Sequence, residues 1–247
     1  MNVTLIDYTG KGNANPSDYA ASILLFTKST RLTMKPGLLD EILAWPLHKK
    51  IQELEYMANT IPSSWEFCHY TFLIEGVTRA FTHQFVRTRS NSYAQQTMRI
   101  LDVDGWDYGT GPTVASDYVL KGQYDACMEQ IDGVYRDLIK GGAKIEDARG
   151  ILPTNILTNI VMGCNFRSFV ETSRKRSSPR VQGEYRDVLK AMSDEVIKVH
   201  PWAKMFFDRT WDRAAKDLDG EIATIKDNDQ KIRMMKLLDQ LRQIEQV

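Results

Sequence analysis

The sequence predicts an α+β protein on a few local observations. A short apolar segment opens the chain, Asn2 to Tyr8, with Val3, Leu5 and Ile6 loosely alternating; it reads as a strand. A second apolar, β-branched run, ILPTNILTNIVMGCN (Ile151 to Asn165), reads as a strand or a buried turn. The stretches between and after them carry apolar residues at helical spacing.

Each element follows from its own signals. GKGNANPSD is turn-rich, and Ser17 or Asp18 is placed to cap a helix through YAASILLFTKS. TMKPG is a polar break before LLDEILAWPLHKKIQELEYMANT. There Pro46 should break or restart the helix, because it lacks the N–H that the preceding turn needs. Glu66 to about Arg89 reads as helix, with Phe72, Val77, Ala80, Phe81 and Phe85 as its apolar stripe. Arg79, His83 and Arg87 fall four apart, on one neighbouring face. Ser90 to Asp104 is polar, then weakly strand-like from Met98 to Val103, and GWDYGTGPT is a loop. Ala115 to Lys140 is an amphipathic helix closed by Gly141 and Gly142. Glu146 and Asp147 open a short turn, and helical spacing resumes over Phe166 to Ser173 and Gln182 to Val199. The charged tail from Ala214 reads as a surface or subunit-packing helix. With no linker or repeat in view, residues 1–213 are expected to form one domain and 214–247 a helical tail.

Composition narrows the function. A hydrophobic fraction of 43% with 26% charged residues is that of a soluble globular protein. The formal net charge is zero, which disfavours roles that rest on a net basic field, such as coating nucleic acid or an anionic membrane. Cys68, Cys127 and Cys164 are widely spaced, which suits reduced thiols in a cytoplasm, and the four histidines lack metal-ligand spacing. The opening residues do not resemble a signal peptide, and no apolar run approaches the ~20 residues of a membrane span.

Two clusters could carry chemistry. RAFTHQFVRTRSNSYAQQTMR (Arg79 to Arg99) holds Arg79, Arg87, Arg89 and Arg99 among amides and hydroxyls, with no acidic residue. Such donors suit phosphates and carbonyl oxygens, although a solvated helix end would also fit. NFRSFVETSRKRSSPRVQGEYR (Asn165 to Arg186) adds Arg167, Arg174, Lys175, Arg176 and Arg180. Neither GxGxxG nor GxxxxGK[ST] occurs, so a Rossmann turn or P-loop is not the source of any phosphate binding. From composition and spacing alone the chain is an anion-binding α+β protein.

The motifs go further. Thr78 to Ile100, TRAFTHQFVRTRSNSYAQQTMRI, resembles the SRxxxHQLVRHRxASYSQQSxRY stretch of the flavin-dependent thymidylate synthases. Upstream, SSWEFCHYTFLIEGVTR is similar to SPFEHxxFTFxIxGVSR. Downstream, EDARGILP resembles EDARxxLP, and NFRSF…RKR…VQGEYR resembles NxRxLxxFxxxR…AQxEIR. The resemblance runs in matching order from Asn2 to about Phe207.

It implies a central, mostly antiparallel sheet flanked by helices, the thymidylate synthase-complementing protein-like fold; the long Phe72–Arg87 helix, read from the apolar spacing, is expected to aim at the site. It implies an FAD enzyme that methylates dUMP to dTMP, with methylenetetrahydrofolate and NADPH as co-substrates. On the same resemblance the partner would be a small nucleotide, and the site would be shared between subunits of a cytoplasmic homotetramer. Arg87, Arg89, Asn165 and Arg167 would hold the flavin. Gln84, Arg87, Gln95, Thr97, Arg99, Arg149 and Arg176 would hold the nucleotide, with Thr97, Arg99 and Arg149 near its phosphate. Arg176 would sit over the pyrimidine and polarise its carbonyl, which is the catalytic contribution. Arg79 and His83 stand evenly between the site and a subunit contact. Trp65 and Phe67 read as core, Arg174 and Lys175 as solvated.

The sequence departs from the pattern at four positions. Thr88 replaces the central histidine of RHR, Thr97 replaces its serine, and Ile61 and Phe67 stand at upstream histidines. These changes keep a second reading open: the same scaffold acting on another pyrimidine nucleotide such as dCMP, or transferring another one-carbon group. A non-enzymatic nucleic-acid-binding module is the third, disfavoured by the zero net charge.

Overall fold

A computed structural model describes residues 1–99, 106–176, 181–207 and 210–244. Along the chain come β1 (Asn2–Tyr8), α1 (Pro16–Ser29), α2 (Leu38–Leu43), α3 (Leu47–Thr60), β2 (His69–Thr78), α4 (Arg79–Phe85) and β3 (Ser92–Gln95). Next are α5 (Pro112–Ala115), α6 (Tyr118–Lys140), α7 (Ile145–Ala148), β4 (Leu157–Asn165), α8 (Phe166–Lys175) and α9 (Gly183–Val199). They are followed by α10 (Lys204–Phe207), α11 (Thr210–Thr224) and α12 (Asn228–Ile244). The expected opening strand and the ILPTN… strand are β1 and β4. Arg180 and most of Met98–Val103 lie outside the described residues.

The strands form one sheet in the order β1-β2-β4-β3. Strands β3 and β4 are antiparallel, with Ser92 opposite Gly163 and Gln95 opposite Ile160. Asn2 donates to the Glu75 carboxylate near one end of the β1–β2 pair, and the Thr9 N–H donates to the His69 carbonyl at the other, so this pair is also antiparallel. The α+β expectation therefore holds.

The chain divides into two compact units. The first comprises Met1–Asp7, Tyr70–Cys164 and Gln182–Met192. Its core sets Phe72, Ile74, Ile160 and Met162 from the sheet with Phe81, Phe85 and Tyr185, all essentially without exposure. Phe81, Phe85 and Tyr185 meet one another at centroid distances of 4.8–5.8 Å, in tilted and edge-on contacts of the kind aromatic rings favour. The second comprises Tyr8–His69, Asn165–Val181 and Ser193–Val247. Trp65, Phe166, Trp202 and Phe206 form its aromatic core, with Leu24, Leu25, Leu54 and Met57 buried in helices. Here too α11 and α12 pack together through Ile222 and Leu238.

Several expectations are corrected. The long Phe72–Arg87 helix is instead strand β2 followed by the two-turn α4. Tyr70, Phe72 and Ile74 are buried alternately, the period of a strand. At Gly76, with φ 64°, the alternation slips so that Val77 is buried as well. That slip makes the row of apolar residues resemble a helical stripe. Arg79 and His83 do share α4, but Arg87 lies beyond its end. Ser92–Gln95, within the stretch read as polar, forms a four-residue strand paired to β4. Helix α1 is capped by the Asn15 side chain, which accepts from the Asp18 N–H at 3.1 Å, so neither Ser17 nor Asp18 is the cap. Pro46 does stand at the start of α3, and Gly141 closes α6. Trp65 is core as expected, but Phe67 is 56% exposed. Arg174 is not solvated: it donates to the Phe206 carbonyl at 2.6 Å and lies over the Trp65 ring.

Candidate functional site

In the first unit, α4 and the turn into β3 carry three of the expected residues, Gln84, Arg87 and Arg89. Thr78 begins α4: its hydroxyl accepts from the Phe81 N–H at 3.1 Å. Gln84, the penultimate residue of α4, donates to the Gln182 side chain at 3.1 Å. The chain then turns through Arg87 and Arg89, both exposed. The turn is tied down from below, because the Tyr93 hydroxyl donates to the Phe85 and Thr88 carbonyls at 2.9 and 3.2 Å. Arg87 and Arg89 make no ion pair among the described residues, so two adjacent guanidiniums face solvent from an anchored turn.

Gln95, at the end of β3, donates to the Thr82 hydroxyl at 3.0 Å and points back to α4. Past it the Thr97 hydroxyl accepts from the Arg99 N–H at 3.1 Å. Thr97 and Arg99 line an open recess with Lys144, Ile145 and Glu146. Arg99 is held there by Glu146 at 3.2 Å, and Arg149 donates to the Glu146 backbone carbonyl at 3.2 Å. Glu146 thus meets both arginines, Arg99 through its carboxylate and Arg149 through its backbone carbonyl.

Arg79 joins this group. Its Nη2 donates to the Gln96 carbonyl at 2.6 Å. Burial, and then the neighbouring Arg149 charge, hold its pKa below the usual arginine value. Two guanidiniums close enough to repel each other are a place where an anion would be welcome.

The second unit holds the remaining three. Asn165 caps α8, its side chain accepting from the Ser168 N–H at 2.8 Å. Arg167 is gripped by Glu171 at 2.8 Å and Glu66 at 2.7 Å. Those carboxylates, Glu171 first, raise its pKa above the usual value. Arg176, at the C-terminal end of α8, is half-buried, and its N–H donates to the Thr172 carbonyl at 3.1 Å.

Sequence reasoning missed the acidic partners. Glu171 was legible, since it lies four residues from Arg167 on one helix. Glu146 stood inside the EDAR motif without an assigned partner. Glu66, 101 residues from Arg167, offered no local signal.

Residues 5–202 match the family model described as thymidylate synthase complementing protein. The chain is 36% identical over 143 residues to a flavin-dependent thymidylate synthase of Nitratidesulfovibrio vulgaris, an alignment that covers 53% of this chain and 58% of that protein. It is 29% identical over 219 residues to one from Clostridium tetani, covering 81% and 84%. To one from Sulfurisphaera tokodaii it is 30% identical over 213 residues, covering 81% and 75%. The chain belongs to the thymidylate synthase complementing protein family.

Proposed function

We propose that this protein is an FAD-dependent methyltransferase that converts dUMP to dTMP, drawing the carbon from methylenetetrahydrofolate and reducing equivalents from NADPH. Family membership supports the reading, as do relatives that carry the name flavin-dependent thymidylate synthase. The observation that carries it is the pair Arg87 and Arg89, exposed on an anchored turn and without carboxylate partners among the described residues.

The residues fit a flavin dinucleotide. Its pyrophosphate needs planar, charged donors, and Arg87 and Arg89 make no ion pair with theirs among the described residues. Asn165 spends its oxygen on the α8 cap, which leaves its Nδ2 as a donor. Arg167, neutralised by two carboxylates, suits a contact with an uncharged part of the flavin better than one with its phosphates. When bound, the flavin supplies the hydride.

The chain's own residues bind and polarise. Thr97, Arg99 and Arg149 hold the nucleotide phosphate, with the exposed Arg99–Glu146 pair opening to admit it. Gln84 and Gln95 are fixed by their hydrogen bonds to Gln182 and Thr82, and direct their remaining amide atoms at the nucleoside. Arg176 polarises the pyrimidine carbonyl and stabilises negative charge on the ring as C5 bonds to the carbon donor and loses its proton. The sites are completed between subunits of a homotetramer.

One observation favours the runner-up: Phe67, exposed, stands where the family carries a histidine. In that reading the same scaffold acts on dCMP or transfers another one-carbon group. Tritium release from C5-labelled nucleotides separates the readings. Release from dUMP by a yellow, flavin-loaded protein supports the first, and release from dCMP alone supports the second. A colourless protein that takes up no FAD removes both.

A further inference from the structure

Helices α11 and α12 lie beyond residue 202, where the family match ends, and they form an antiparallel hairpin. Only Ile225 to Asp227 connect them, a length that turns one helix straight back along the other. Asp227 caps α12, its carboxylate accepting from the Gln230 N–H at 2.8 Å. Ile222 and Leu238 are buried between the helices, with Leu218, Ile225 and Met234 packed against them. Among the described residues, the main packing of each helix is with the other. A unit below roughly 40 residues usually needs a cross-link, a metal or a second copy to hold its fold. This hairpin spans residues 210–244.

The apolar surface of α12 is wider than α11 covers. Met234, Leu238 and Leu241 fall four and then three apart, the seam of a contact with one helix. Leu237 stands beside that seam, and Leu237 and Leu241 are 47% and 44% exposed. An apolar arc broader than a single seam belongs to a helix with more than one neighbour.

The charges around this arc point to its occupant. Arg233, Leu237 and Leu241 are spaced by four and so share one stripe of α12; Asp217 and Glu221 share one stripe of α11. At 3.6 residues per turn in an antiparallel pair, the two stripes fall on the same broad face of the hairpin. Asp217, Glu221 and Arg233 are exposed and make no ion pair among the described residues. Arg233 lies six residues after the connection, whereas Glu221 and Asp217 lie four and eight residues before it. A two-fold axis that lays α11 of one copy along α12 of another therefore brings Arg233 between the two carboxylates. The face is complementary to itself, as an isologous contact requires.

We propose that this face of the hairpin is a self-association surface that packs on the same face of a second copy of this chain and closes a four-helix bundle. Leu237 and Leu241 supply the apolar contact, and Arg233 against Asp217 and Glu221 fixes the register. The proposal does not rest on the enzymatic reading above.

The test follows hydrogen exchange of the α11 and α12 amides in the full chain, together with sedimentation equilibrium. The variants are L237K/L241K, D217K/E221K and R233E. The three charged positions make no ion pair within one copy, so an intrachain role predicts no change from the charge variants. Circular dichroism identifies any variant that fails to fold, and the others then carry the test. Each is expected to speed hairpin exchange and to weaken self-association about tenfold. Co-expressing D217K/E221K with R233E, and purifying through a tag on each, restores opposite charges in both crossed contacts. Exchange in that mixed assembly is expected to return to the rate of the unaltered chain. Unchanged exchange and association in the folded variants overturn the proposal. Faster exchange that the mixed assembly does not reverse overturns it too, since the charges would then act within one copy.

Discussion

The carboxylate of Glu184 accepts two hydrogen bonds from Thr78, one from its N–H at 2.8 Å and one from its hydroxyl at 2.5 Å. The same hydroxyl accepts from the Phe81 N–H, so one residue caps α4 and ties it to the first turn of α9. Replacing Glu184 with alanine strands both Thr78 donors. A loss of about 1–3 kcal/mol in urea unfolding is expected. T78V should lose part of the same energy, so a double-mutant cycle between the two should show clear coupling.

Arg87 and Arg89 are exposed and make no ion pair among the described residues, so removing either should hardly change stability. R87A and R89A are expected to unfold within about 0.5 kcal/mol of the unaltered chain. Each should nevertheless weaken FAD uptake about tenfold or more, read from flavin fluorescence during titration. Strong flavin binding by both variants would remove them from the cofactor site.

Under the proposed function Arg176 would stabilise charge that develops on the pyrimidine as C5 reacts. Removing its guanidinium should therefore lower turnover more than nucleotide affinity. R176A is expected to slow C5 tritium release about 100-fold or more, with a much smaller change in dUMP dissociation constant. Equal losses in both would make Arg176 a binding residue only.

His200 is fully buried, stacked on Trp202 at 5.1 Å and edge-on to Tyr8 at 5.5 Å. Burial pushes its pKa down to about 4, against a smaller opposing effect from the Thr9 backbone. An unfolded histidine titrates near 6.5, so between about 6.5 and 4 the unfolded chain binds the extra proton. Stability should therefore fall as pH drops through that window, by roughly 3 kcal/mol if the full shift is realised. Urea melts of H200Q between pH 7.5 and 4.5 should show a flatter dependence than those of the unaltered chain. Parallel curves would assign the acid sensitivity to other groups.

Lys50 is buried, with Nζ 2.7 and 2.8 Å from the Asp18 carboxylate oxygens and 3.0 Å from the Leu43 carbonyl. The pair joins α1 to α3. Removing one partner leaves a buried charge uncompensated, so D18A should cost about 3–5 kcal/mol. K50M deletes the charge and keeps an apolar stem, and thermal melts should show it less damaging than D18A.

Much of the fold and site was legible where the signals are local. Val3, Leu5 and Ile6 mark β1, Pro46 marks the start of α3, and Gly141 marks the end of α6, because each acts through its own backbone or its near neighbours. The ordered motifs around Arg87, Arg149 and Asn165 identify the family by residue type and spacing alone. Where the signal is not local, the reading failed. Phe72, Val77 and Phe81 lie on a strand and then on a helix, yet their spacing across Gly76 imitates one continuous helix.

The sequence by itself determined the order of the basic motifs, the α+β class and the family. Only the tertiary structure decided which charges stay available. Arg167 is met by Glu66 from 101 residues away, whereas Arg87 and Arg89 meet no carboxylate among the described residues. Arg79 reads in the sequence as one more residue on a helix face; it is the folded unit that brings it beside Arg149 and into one cleft with Trp106 and Thr158. Residue type sets the chemistry a side chain can perform. Its charge balance and its access to water depend on contacts between distant segments, which exist only once the chain has folded.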